Sequence, residues 1–154
     1  MHIVKTLYTA HQLLLRLLNL LQAPAALVAR LYVAQVFLLS GLTKLRDWDT
    51  TLFLFQEEYH VPLLPPAVAA VTGTFGETVL PVLLVLGVGG RVPALGLSVV
   101  NVMAVLSLTD IAPLALQQHV LWGVLLMVLA LYGSGAWAVD AWLNWDRRLS
   151  KLLR

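Results

Sequence analysis

The chain has no cysteine among its 154 residues. That absence excludes disulfides, thiolate metal sites, iron–sulfur clusters and any thiol relay carried by this polypeptide. Charge is also scarce, at 12% of residues against roughly a quarter in ordinary globular proteins. With 60% hydrophobic residues and a mean hydropathy of +0.85, too few charges remain to cover a water-facing surface. The same composition excludes intrinsic disorder. Ten basic against eight acidic residues leave a formal net charge of +2, which is no nucleic-acid footprint. Long apolar sequence is what the chain has in abundance, and it reads as an integral membrane protein with the lipid bilayer as its first partner.

A hydrocarbon core about 30 Å thick takes roughly 20 apolar residues of helix. Four segments meet that requirement, at about 24–42, 66–86, 91–108 and 113–132. Three begin at a proline (Pro24, Pro66, Pro113) and the fourth has Pro93 in its first turn, where a missing N–H costs nothing. Gly87, Gly89 and Gly90 mark a tight turn between the second and third spans. The expected fold is therefore all-α, a four-helix membrane bundle over 24–132 with amphipathic interfacial helices at both ends.

The first of these end segments is 1–23. Lys5, Thr9, Gln12, Arg16 and Asn19 form one polar stripe, with Leu7, Leu14, Leu18 and Leu21 opposite. Gln12 and Arg16 within the stripe argue against a signal-peptide core, so the segment is expected to lie in the membrane interface. In 133–154, Gly133-Ser134-Gly135 breaks the last span. Trp137, Trp142 and Trp145 then suit the headgroup layer, and the basic residues beyond them suit anionic lipid.

Orientation follows the Lys and Arg side chains. With Arg30 set aside because it lies within a span, Lys5, Arg16, Arg91, Arg147, Arg148, Lys151 and Arg154 fall on one side, and only Lys44 and Arg46 on the other. Both termini are thus expected in the cytoplasm. The 43–65 connection then faces outward. Asp47 or Asp49 is placed to cap a short helix there through about Tyr59, with Phe53 and Phe55 dipping into the interface. Val61-Pro62-Leu63-Leu64-Pro65-Pro66 stiffens the return into the second span. This connection reads either as a structural link or as a lid or docking surface.

Ionisable groups inside spans are expensive and face a bundle interior or a cavity. Here they are Arg30, Glu77 and His119, joined by Gln35 and Asn101. Small residues share a helix face with each of the ionisable ones: Ala26, Ala34 and Gly41 with Arg30, Ala69 and Gly73 with Glu77, Ala115 and Gly123 with His119. Ala94 and Ser98 do the same for Asn101, whereas Gln35 lies about 140° round its helix from Arg30. By helical rise, Glu77 and Asn101 fall near the midplane, Arg30 about 9 Å above the cytoplasmic end and His119 about 9 Å from the outer face. The bland expectation is a neutralised structural network of Arg30, Glu77 and Asn101. The functional one rests on Pro81, which deprives the Glu77 carbonyl of its helical donor, and on Gly73 and Gly76, which would admit a ligand headgroup. A carboxyl held there would be placed to exchange a proton with a quinone.

No metal-ligand spacing joins His60, Glu57, Glu58 and His119, and His119 is the only histidine inside a span available to haem. No phosphate-binding loop and no nucleophile–base pair is visible, so no catalytic residue is assigned.

From about Arg30 to Asp140 the chain resembles the DoxX family of four-span bacterial membrane proteins. The resemblance rests on Phe37-Leu38-Leu39-Ser40-Gly41-Leu42-Thr43-Lys44-Leu45, on Asp47-Trp48, and on Tyr59-His60 before Val61-Pro62-Leu63-Leu64-Pro65-Pro66. It continues through Glu77-Thr78-Val79-Leu80-Pro81-Val82-Leu83-Leu84, Gly87, Arg91, His119, Trp122, Tyr132-Gly133-Ser134-Gly135 and Asp140. The resemblance implies an inner-membrane protein associated with redox enzymes such as thiosulfate:quinone oxidoreductase and quinol oxidase systems. Some similar members accompany enzymes that modify metal-binding peptides under copper or gold stress. The expectation drawn here is a small subunit of a quinone-linked redox assembly, with Glu77, Arg30, Asn101 and His119 shaping a quinone pocket and a protein partner, or further copies of the chain, beside it. The chemistry would be carried mainly by the partner. A membrane factor in metal-stress handling or small-ligand transport, and a non-catalytic scaffold, are the alternatives.

Overall fold

A computed structural model describes residues 2–143. The basic tail residues Arg147, Arg148, Lys151 and Arg154, and Trp145 with them, lie outside the described residues. Among the described residues six helices follow in order: α1 His2–Arg46, α2 Trp48–Glu57, α3 Pro66–Leu86, α4 Val92–Ser107, α5 Pro113–Tyr132 and α6 Val139–Leu143. α1, α3, α4 and α5 form the bundle, and no strand occurs among the described residues. α1, α3 and α5 are long and apolar enough to cross a membrane, and α4 is a shorter apolar helix.

Neighbours around the bundle run α1–α3–α4–α5 and back to α1, so α3 and α5 sit diagonally across it. Val33, Phe37, Leu84, Leu97, Leu126 and Leu129 fill its centre. Leucine, valine and phenylalanine also cover the outside, for example Val71, Phe75, Leu95, Val124 and Leu131. A contiguous apolar exterior of this kind belongs in lipid.

The sequence led us to expect a first span starting at Pro24, but α1 is one unbroken helix through that residue. Proline removes a single backbone bond, and the strong helix formers on both sides, from Leu13 to Leu21 and from Ala25 to Ala34, carry the helix past it. From Lys5 to Gln22 no described side chain is buried, so the bundle engages α1 only from about Ala23 onward. At its other end α1 runs on to Arg46, keeping Lys44 helical.

Asp47 caps α2 as expected, accepting from the Thr50 hydroxyl at 2.7 Å and the Thr50 backbone N–H at 3.0 Å. These two bonds hold its carboxyl below the usual aspartate range. α2 does not float: Phe55 is buried against Ala69, Ala70 and Gly73 of α3, while Phe53 remains exposed. α1 and α2 together therefore line the length of α3.

Candidate functional site

The polar residues inside the bundle separate into two groups at different levels. On the side of the glycine turn, Arg30 is fully buried, with Nη1 3.2 Å from the Val85 carbonyl and Nη2 3.0 Å from the Trp137 carbonyl. Val85 lies in the last turn of α3, whose carbonyls have no helical donor and form the negative end of the helix dipole. Arg30 thus neutralises a helix terminus, and the expected Arg30–Glu77 pair is not formed. The planar guanidinium suits this role, because its fork reaches two carbonyls at once.

The chain around Arg30 is knotted by the tail. Gly87 terminates α3 at φ 68°, and a Cβ there would lie 2.6 Å from Arg30 Nη1 and 2.5 Å from Ala138 Cβ. The Asp140 carboxylate accepts from the Gly90 N–H at 2.6 Å, and the Ser134 hydroxyl donates to the Gly90 carbonyl at 3.1 Å. The glycines, Ser134 and Asp140 of the sequence pattern are accordingly explained by this joint. Trp137 and Trp142 stay exposed beside it.

Nearer the α2 end, Glu77 is 7% exposed and its Oε2 is paired with Lys44 Nζ. Lys44 also donates to Ser40 Oγ at 3.0 Å. Gly41 allows this by bringing α1 onto α3: a Cβ at Gly41 would stand 2.7 Å from Thr78 Cγ2 and 3.0 Å from the Glu77 backbone carbon. A second polar pair joins α4 to α5. Asn101 Nδ2 donates to the His119 carbonyl at 2.9 Å, and Asn101 Oδ1 faces His119 Nδ1 at 2.8 Å. Asn101 is therefore spoken for by its own hairpin and takes no part in a network with Arg30 and Glu77.

Glu77, Lys44 and His119 all line one cavity of about 550 Å³ between α1, α2, α3, α4 and α5. Arg30 and Asn101 are not among its lining residues; Asn101 reaches it only through His119. Aromatic rings form much of the remaining wall. Trp122 stands edge-on to both Phe37 (centroids 6.1 Å apart) and His119 (4.9 Å), and Phe55 meets Tyr59 at 5.1 Å in the same manner. Tyr59 has its phenol pushed up by burial and by the charges of Glu58 and Glu77. The segment after it covers the cavity through Val61 and Leu64, and is tied down where the His60 N–H donates to the Ser107 carbonyl at 2.8 Å. Leu63, wholly exposed within that segment, takes a left-handed φ of 69°.

Gly76 serves packing instead of ligand access, since a Cβ there would press Val100 of α4 at 3.0 Å; Gly73 does line the cavity. Gln35 is exposed on α1, as its position round the helix implied. Among the described residues no three His, Cys, Asp or Glu side chains come together in a way that would hold a metal ion. Sequence reasoning missed Lys44, counted there as a loop charge, and Tyr59. The signal for Lys44 was its place three residues after Gly41, on the face of α1 that meets α3.

These features define a small integral membrane protein, an all-helical bundle with an internal polar-and-aromatic cavity. The DoxX family model matches residues 25–110, a little over half the chain, and the protein belongs to the DoxX family of small membrane proteins. No curated protein and no solved structure matches it.

Proposed function

We propose that this protein is a quinone-binding subunit of a redox assembly in the bacterial inner membrane, with both termini cytoplasmic and the electron-transfer chemistry carried by a partner. The observation that carries the reading is the convergence of the Lys44–Glu77 pair and the Asn101-braced His119 on one apolar cavity. Its volume lies within the range of small-molecule sites, and its few polar groups sit among flat aromatic and branched walls. A quinone ring needs that combination: apolar faces to stack on and polar atoms at its edges. Glu77 and His119 are the proposed ligand-binding residues. Asn101 orients His119, and Arg30 supports the bundle from outside the cavity. The orientation is supported by the distribution of Lys and Arg, seven on one side against Arg46 on the other once Arg30 and the Glu77-paired Lys44 are set aside.

Native mass spectrometry of the protein extracted gently from its own membrane tests this reading. A retained mass equal to the host quinone or its reduced form, lost in Glu77→Leu, is the expected result. A copper or zinc adduct, or a protein partner without quinone, would replace the reading by metal handling or scaffolding.

A further inference from the structure

The hydrogen bonds around Asn101 fix the chemistry of His119. Asn101 Nδ2 donates to the His119 backbone carbonyl, which has no proton to offer in return. The amide therefore turns its Oδ1 to the ring, and Oδ1 accepts. His119 Nδ1, 2.8 Å away, must carry the proton of that bond. In the neutral ring Nε2 is then a lone-pair acceptor. Among the described residues no donor meets Nε2, on a side chain that lines the cavity.

Glu77 presents the second acceptor. Lys44 engages Oε2, and among the described residues no donor meets Oε1. Lys44 itself is turned toward Ser40 and Glu77. Glu77 stands on α3 and His119 on α5, the diagonal helices of the bundle, so the two acceptors address the cavity from different sides. A ligand that brings only acceptors leaves both unsatisfied on losing water, which is costly in a low-dielectric interior. A flat ligand with two hydroxyl donors satisfies both.

Resting on the quinone reading above, we propose that the cavity selects the reduced, dihydroxy form: a hydroquinone donates one hydroxyl to Glu77 Oε1 and the other to His119 Nε2. The quinone form has two carbonyls and can donate to neither. Asn101 is a positioning residue in this scheme, since it sets which ring nitrogen bears the lone pair. Tyr59 and Trp122 also line the cavity, and the Trp122 indole N–H, without a partner among the described residues, is a donor that an oxygen of either form can accept from.

Equilibrium dialysis under nitrogen, with the full chain in detergent, compares a short-chain benzoquinone with its chemically reduced hydroquinone. The hydroquinone is expected to bind about tenfold more tightly, the effect of one or two additional hydrogen bonds. His119→Phe should weaken hydroquinone binding more than it weakens quinone binding. Glu77→Gln, which places an amide donor where an acceptor stood, should move the preference toward the quinone. Asn101→Leu should reduce the preference without touching the cavity wall, and His119→Gln serves where His119→Phe does not fold. Equal binding of both forms by the wild-type protein, or a preference that survives the Glu77 and His119 substitutions, overturns this inference and leaves the quinone reading standing. Binding of neither form by folded protein removes the quinone reading and this inference with it.

Discussion

Lys44 turns back along α1 to meet the Glu77 carboxylate, although its own backbone lies three residues beyond Gly41, the residue that packs directly on Glu77. The long lysine stem makes this reach possible and keeps both charges at the cavity edge. Their side chains are 19% and 10% exposed. A pair so far removed from water is held together mainly because each partner would be costly alone.

Removing one partner should therefore hurt more than removing both. Lys44→Met is expected to cost on the order of 3 kcal/mol, as for other broken buried pairs. The double variant Lys44→Met with Glu77→Leu should recover much of that loss. Thermal unfolding in detergent of the two singles and the double forms a cycle that reads the coupling directly. Equal loss in the double variant would mean that the pair contributes packing alone.

Gly41 sets the distance between α1 and α3. A methyl group there meets Thr78 Cγ2 at 2.7 Å and the Glu77 backbone at 3.0 Å, and the backbone cannot swing aside. Gly41→Ala should destabilise by about 1–3 kcal/mol, the usual range for overpacking. It should also separate Lys44 from Glu77, so that a later Lys44→Met change costs less in the Gly41→Ala background. Melting temperatures of the single and double variants check both statements.

Arg30 makes a different prediction because its partners are carbonyls. Arg30→Lys keeps the charge but gives up the fork that spans Val85 and Trp137. We expect a loss of about 1.5–3 kcal/mol, the worth of one charge-assisted hydrogen bond, and a loosened tail. Protease cleavage near Ala136 should accelerate in this variant, while the quinone binding proposed for the cavity, which Arg30 does not line, stays unchanged. A selective loss of ligand with an intact tail would place Arg30 in the binding site after all.

The bundle was legible because membrane spans are written in runs of apolar residues, and the small-residue faces of Arg30, Glu77, Asn101 and His119 do point inward. The partners were not legible from depth estimates taken span by span. Asn101 lies six residues before the end of α4 and His119 six residues after the start of α5, so the short hairpin alone places them level. Measuring each from a different membrane face hid that. Lys44 was hidden because span lengths suggested that α1 ends near Leu42, whereas the helix continues four residues further. Arg30 found one carbonyl acceptor at the end of α3, Val85, and a second, Trp137, on a tail whose return over that terminus no local pattern announces.

Asp47 supplies a pH dependence. Its carboxyl is held low by the Thr50 hydroxyl and backbone N–H, so the cap is more acidic when folded than when unfolded. Its contribution to stability is thus complete above the unfolded value, about 3.9, and fades as pH falls through the folded value. The difference in melting temperature between wild type and Asp47→Ala should be constant from pH 7 to about 5 and shrink below about 4. Asp47→Asn, a cap without a titrating proton, should show no such change against Asp47→Ala. A difference that persists unchanged below pH 3 would mean that the cap acts without its charge.

The helix before the bundle gives the last prediction. Residues 2–22 contain Lys5 and Arg16 but no acidic residue, and leucines occupy most of the remaining circumference from Leu13 to Leu21. Exposed leucine on that scale is not stable in water, while a basic stripe on an apolar cylinder suits the surface of an anionic bilayer. Pro24, where one backbone bond is already missing, provides the place to bend. The cysteine-free chain makes the test clean, since each single substitution is the only thiol. In inside-out membrane vesicles, Gln12→Cys and Asn19→Cys should react with a membrane-impermeant maleimide about tenfold faster than Leu14→Cys and Leu18→Cys, whose side chains would face the acyl layer. The same ordering should vanish in right-side-out vesicles, where none of the four would react. Uniform reaction of all four in inside-out vesicles would mean that the helix stands free of the membrane, and reaction from the opposite face would reverse the proposed orientation.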